Sequence, residues 1–115
     1  MQIVTHELGG GALLLAFEGE TALDASTTDA LRAALGELGE HYDRIIVDFG
    51  NVGFLDSSAL GAFVALLRRL TQKGGSLRIA ALRPSVKMIF EVTRLDRVFV
   101  SAETVDEALA AVAAA

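Results

Sequence analysis

Apolar and polar positions follow two periods that trade places along the chain. "QIVTHELGGGALLLAFEGE" reads as two strands flanking Gly9-Gly10-Gly11. Consecutive glycines supply the positive φ angles that a hairpin loop needs. A phosphate-cradling glycine loop would instead join a strand to a helix and usually carries a lysine. A second strand follows here, so a hairpin is expected. "ALDASTTDALRAALGELGEH" reads as a loop and then a helix. Ser26 is placed to cap that helix, with Asp29 three residues on, near the end of the dipole that favours negative charge. Leu31, Leu35 and Leu38 recur at helical spacing. "RIIVDFG" is a short β-branched run and predicts a buried strand, with Asp48 and Gly50-Asn51 marking its exit.

"SSALGAFVALLRRLTQKGG" predicts the next helix, with Leu60, Phe63, Val64, Leu67 and Leu70 as its inward stripe. Arg68, Arg69 and Lys73 sit near its C-terminus, where the dipole favours cations, and Gly74-Gly75 ends it. "SLRIAAL" reads as a strand. Pro84 suits the first turn of a helix running to about Glu91, since its missing N–H would be unpaired there anyway. "RVFV" reads as a last strand. Thr104 and Glu107 form a capping-box pattern ahead of an Ala-rich helix carrying Leu109 and Val112, whose Ala-Ala-Ala end is expected to fray. The resulting order, β-β-α-β-α-β-α-β-α, argues for an α/β fold. It predicts a single mixed, mostly parallel sheet of four to five strands covered by about four helices.

Composition narrows the function classes. At 115 residues with 52% hydrophobic content, the chain is expected to form one globular domain with a real core. The net charge is −5, and only 10 Lys and Arg are spread along the chain, which argues against direct nucleic-acid binding. The absence of cysteine removes disulfides, thiol catalysis and Cys-ligated metal. The apolar stretch Ala59 to Leu67 is too short to span a bilayer, and no basic segment leads into an apolar run at the start. No membrane insertion and a cytoplasmic location are expected.

No catalytic motif is complete. His6-Glu7 opens no HExxH pattern, His41 is remote in sequence, and Ser57 and Ser58 lack the glycines of a nucleophile elbow. An enzyme reading would need Asp24, Asp48 and Asp56 to converge on Mg²⁺; the commoner role of such acids is to start turns and helices. No enzyme, cofactor or metal is therefore expected. Asp56-Ser57-Ser58, in "FLDSSALGAF", stands where a strand exit meets a helix start. One cap residue suffices there, yet three polar residues are present. A phosphate on such a serine would add about −1.5 to −2 charge. Ala59, Gly61, Ala62 and Ala65 are small, and no charge follows Asp56 for two turns; much of this helix is expected to be core, and its start beside a modifiable hydroxyl has the pattern of a docking site.

The stretch "IIVDFGNVGFLDSSALGAFVALLRRL" resembles the signature of STAS domains and, more narrowly, of bacterial anti-sigma factor antagonists, with the pattern lying in Asp48 through Gly61. "FEGETALDASTTDALRAAL" resembles the family's second strand and first helix, with Asp24 at its acidic position, and "RPSVKMIFEVTRLDRVFVSAETVDEAL" resembles its remaining elements. The resemblance covers nearly the whole chain and implies a single STAS domain over 1–115. It also implies a partner switch. The unphosphorylated protein binds an anti-sigma factor, often a serine kinase, and releases the sigma factor; phosphorylation ends binding and a serine phosphatase resets it. Carried onto this chain, the phosphoacceptor is Ser57, with Ser58 as the alternative. The partner-binding set is Asp24, Asp56, Ser57, Ser58, Ala59, Leu60 and Gly61. Ala59 departs from the family, which most often has Gly there. The family implies a monomer or weak homodimer. Two other roles share this fold: an unphosphorylated scaffold or sensor subunit of a signalling assembly, nucleotide-binding in one variant, and an accessory subunit of a membrane transporter.

Overall fold

The computed structural model describes residues 1–114. Strands β1 (Ile3–Gly9) and β2 (Ala12–Phe17) form the expected hairpin. All three of its glycines adopt φ between 61° and 84°, a region closed to most side chains. Just before the turn, Leu8 is bulged out of register between Glu7 and Gly9. The chain continues through β3 (Thr21–Leu23), α1 (Thr28–His41), β4 (Arg44–Asp48), β5 (Val52–Leu55), α2 (Ser57–Gln72) and β6 (Ser76–Ala80). It ends with α3 (Pro84–Val92), a 3₁₀ turn (Leu95–Arg97), β7 (Val100–Ala102) and α4 (Val105–Ala114). The expected mixed, mostly parallel sheet is present in the order β1-β2-β4-β6-β7, antiparallel only at β1–β2.

A second sheet was not expected. β3 and β5 pair in parallel, Thr21 beside Val52 and Leu23 beside Leu55. Both segments read as loop in the sequence because they are short and Gly53 interrupts one of them. Their pairing brings two acidic residues to one end of the molecule, since each strand runs directly into one, Asp24 or Asp56.

Strand alternation divides the interior. Leu13, Leu15, Phe17, Ile45, Val47, Leu77 and Ile79 point to one face, where α1, α2 and α3 cover them. Phe49, Phe63, Phe90 and Phe99 form a chain of tilted and edge-on ring contacts within this core. Ala12, Ile46 and Ala80 point to the other face and pack under Ala108 and Val112 of α4.

Three local expectations are corrected. The inward stripe of α2 is Ala59, Leu60, Ala62, Phe63, Leu66 and Leu70, while Val64 and Leu67 are only half-buried. The small Ala59 and Ala62 let the helix settle with a different face down. The last strand is not "RVFV": Arg97 closes the 3₁₀ turn, Phe99 is buried against Phe90, and pairing begins at Val100. The apolar run marks a core plug there rather than a strand. Helix α1 begins at Thr28, and Ser26 does not cap it. The Ser26 hydroxyl and N–H both donate to the Asp24 carboxylate instead, at 2.5 and 2.9 Å.

Other boundaries agree. Pro84 opens α3. Thr104 Oγ1 accepts the Glu107 N–H at 3.1 Å, although the Glu107 carboxylate reaches back to the Glu103 N–H. The terminal alanines differ from the expected fraying and remain helical through Ala114, and Ala115 lies outside the described residues.

Candidate functional site

The site is built where the small sheet ends. The Asp56 N–H donates to the Leu23 carbonyl at 3.0 Å, which ties the exit of β5 to the exit of β3. Asp24 and Asp56 are thereby brought to the same end of the fold. Asp56 is the N-cap of α2, and its Oδ1 accepts the Ala59 N–H at 3.1 Å. The same oxygen accepts the Ser58 hydroxyl at 2.6 Å. The Ser58 hydroxyl holds the Asp56 carboxyl below its ordinary pKa, helped by the Ala59 N–H and, more weakly, the Ser58 and Ala25 N–H groups, while desolvation opposes them.

The two serines differ. Ser58 is half-buried, and its Oγ also lies 2.8 Å from Thr28 Oγ1 on α1. Thr28 is buried, and its hydroxyl is 2.9 Å from the Asp24 carbonyl. Each hydroxyl has one proton, so two protons serve three contacts. Ser58 gives its proton to Asp56, so the Thr28 proton is shared between the Asp24 carbonyl and the Ser58 Oγ. Ser58 is committed to this chain. Ser57, the first residue of α2, is exposed and makes no side-chain hydrogen bond among the described residues.

The other expected site residues divide by exposure. Ala59 and Leu60 are buried, at 0% and 5% exposure. Their side chains belong to the core and seat the helix rather than being presented at its surface. Gly61 is half-buried beneath a guanidinium: a Cβ there would lie 3.3 Å from Arg32 Nη2. Ala62 is buried and Ala65 is exposed.

The acids do not converge as a metal site. Asp24 serves Ser26, Asp48 accepts the Gly50 N–H at 2.8 Å, and Asp56 serves Ser58 and Ala59. Among the described residues no three acidic or histidine side chains are grouped to hold a cation. His6 is exposed on the edge strand β1, while the His41 ring lies against the Glu37 carbonyl at the end of α1.

Sequence reasoning missed three residues here. Thr28 is one of two buried polar residues among the described residues, and only the packing of α1 against α2 reveals its role. Phe54 stands two residues before Asp56 and is 51% exposed, because strand alternation buries Leu55 and turns Phe54 out. That signal was present in the "FLDSS" spacing, had β5 been recognised. Arg32 carries no local signal.

The STAS domain model matches residues 4–108. The anti-sigma F factor antagonist of Paenibacillus polymyxa is 28% identical over 90 residues, 76% of this chain and 75% of that one. The crystal structure of an anti-sigma factor antagonist from Mycobacterium paratuberculosis superposes with a TM-score of 0.81 at 27% identity, over 96% of this chain and 93% of that one. SpoIIAA, a Bacillus cell fate determinant whose structure is known in a phosphorylated form, shares the fold with a TM-score of 0.74 at 20% identity, over 96% and 99% of the two chains. With a match from the first strand into the last helix, and with the acid–serine–serine element at the start of α2, this chain belongs to the STAS domain family.

Proposed function

We propose that this chain is an anti-sigma factor antagonist, a regulatory binding protein rather than an enzyme, and that Ser57 is its phosphorylation switch. The single observation that carries the reading is the contrast between the serines. Ser57 presents an exposed hydroxyl at the head of α2, while Ser58 is held by Thr28 and Asp56. The partner is an anti-sigma factor that is also a serine kinase. It docks over the end of β3 and β5 and the exposed face of α2, meeting Asp24, Phe54, Asp56, Ser57, Gly61 and Ala65. Ala59 and Leu60 support that face from beneath. The named relatives support the role, and the phosphorylated form of SpoIIAA supports the kind of control.

The kinase transfers the γ-phosphoryl group of ATP to Ser57 Oγ. The Oγ–P bond forms, ADP leaves, and the hydroxyl proton passes to a base of the kinase. The product adds about −1.5 to −2 charge beside Asp56 and Asp24 and replaces a small hydroxyl with a hydrated group. A loss of about 2–3 kcal/mol at the interface lowers affinity roughly 30–150-fold. No refolding is needed, because the Ser58 chain that anchors the helix start is untouched. A serine phosphatase restores binding.

Incubation with ATP and the cognate anti-sigma kinase, followed by intact mass and site mapping, tests the reading. One phosphate is expected on the wild type and on Ser58→Ala, and none on Ser57→Ala. A phosphate that survives Ser57→Ala and disappears in Ser58→Ala would overturn the assignment. Absence of any phosphate with a kinase that binds the chain would leave a scaffold role in its place.

A further inference from the structure

We propose that Arg32 is the built-in partner of a phosphate on Ser57, so that the chain itself holds the modified serine across the first turns of α2. This rests on Ser57 being the modified hydroxyl. Gly61 lies one helical turn beyond Ser57, and residues four apart share a helix face. Helix α1 lays the Arg32 guanidinium on that face, with Nη2 3.3 Å from where a Cβ at position 61 would stand. A side chain at 61 would lean back toward the N-terminus, into the space between Arg32 and Ser57. Glycine leaves that space open.

The guanidinium is also unused. Arg32 is exposed, and the ion pairs among the described residues are Arg69–Glu40, Lys73–Asp43 and Arg83–Glu20. Asp24 is occupied with Ser26 and Asp56 with Ser58 and Ala59, while Asp29, three residues before Arg32 on α1, forms no ion pair with it. An unpaired guanidinium one turn from an exposed serine matches the requirement of a phosphate, which takes paired N–H donors from arginine. Pairing pulls the phosphate down over Gly61 and keeps it doubly charged on the surface where the partner docks. The off state is then a fixed charge at one place rather than a mobile tail.

Phosphoserine incorporated at position 57 during translation makes the test independent of any kinase. The second ionisation of the phosphate is followed by ³¹P NMR titration in the full chain, alongside Arg32→Gln, Arg32→Lys and Arg68→Gln. The free value is about 6. Arg32→Gln is expected to raise the midpoint by about 0.5 pH unit relative to the parent, a size set by an exposed ion pair. Arg32→Lys should recover part of that shift. Arg68 lies about 16 Å along α2 from Ser57, beyond the screening length, so Arg68→Gln should leave the midpoint alone. An unchanged midpoint in Arg32→Gln, or equal shifts in Arg32→Gln and Arg68→Gln, would overturn the proposal. The underlying reading fails differently: phosphoserine at 57 would leave affinity for the anti-sigma factor unchanged whatever the titration shows.

Discussion

At the scale of single residues, the site separates two adjacent serines by what their oxygens touch. Neither propensity nor spacing could do this, because the deciding neighbour, Thr28, is 30 positions away on another helix. The acid beside them makes a titration prediction. Hydrogen bonds from Ser58 and Ala59 hold the Asp56 carboxyl below its ordinary pKa. A depressed carboxylate contributes stability above its unfolded pKa, about 3.9, and loses it as pH falls through the folded value. Asp56→Asn keeps an acceptor for the cap but not the charge. The urea midpoint of the wild type should therefore exceed that of Asp56→Asn at pH 7, and the gap should close as the solution is taken from about pH 4 toward pH 2. A gap that stays constant over that range would mean the charge of Asp56 does not stabilise the fold.

At the scale of elements, the long periodic segments were legible and the short ones were not. The helices from Thr28, Ser57, Pro84 and Val105, and the central strands, follow from hydrophobic period and terminal residues. β3 and β5 are stabilised by pairing with each other across 31 to 32 positions, which no local pattern encodes. The Asp56-Ser57-Ser58 motif was visible, while its connection to Asp24 through the Asp56–Leu23 hydrogen bond was not. The opposite boundary of α2 offers a test of how tightly an element end is specified. Gly74 has φ 78° with nothing within 4 Å of an added Cβ. Gly75 donates to the Leu70 carbonyl at 2.8 Å, and a Cβ there would overlap the Asp43 carbonyl oxygen. That carbonyl accepts the Ser76 N–H and starts the β4–β6 pairing, so it cannot move freely. Gly74→Ala should cost about 1–2 kcal/mol, the strain of a left-handed residue. Gly75→Ala should cost more, about 3 kcal/mol or above, because backbone must shift. Denaturant unfolding of the two variants ranks them, and equal losses would show that φ rather than crowding governs this corner.

At the scale of the whole molecule, the sheet keeps the head of α2 and the far side apart. The face under α1, α2 and α3 carries the large residues and supports the head of α2. The face under α4 buries Ala12, Ile46, Ala80, Ala108 and Val112, three of them alanines, and contributes less apolar area. Neighbouring residues of β4 report on the two faces separately, since Ile46 points to α4 and Val47 to the main core. Ile46→Ala should destabilise by about 2–4 kcal/mol through lost burial and a residual cavity. Its effect on hydrogen exchange should fall first on residues 105–114, because α4 rests on that side chain while α2 does not. Val47→Ala should instead reduce protection in α1 and α2 and disturb the Ser58–Thr28 connection. Binding to the anti-sigma factor would then survive Ile46→Ala at temperatures where the fold persists and weaken in Val47→Ala. Equal loss of protection in α2 and α4 for Ile46→Ala would show that the two faces open as one unit. The far face would then bear on the proposed site as directly as the helix that carries Ser57.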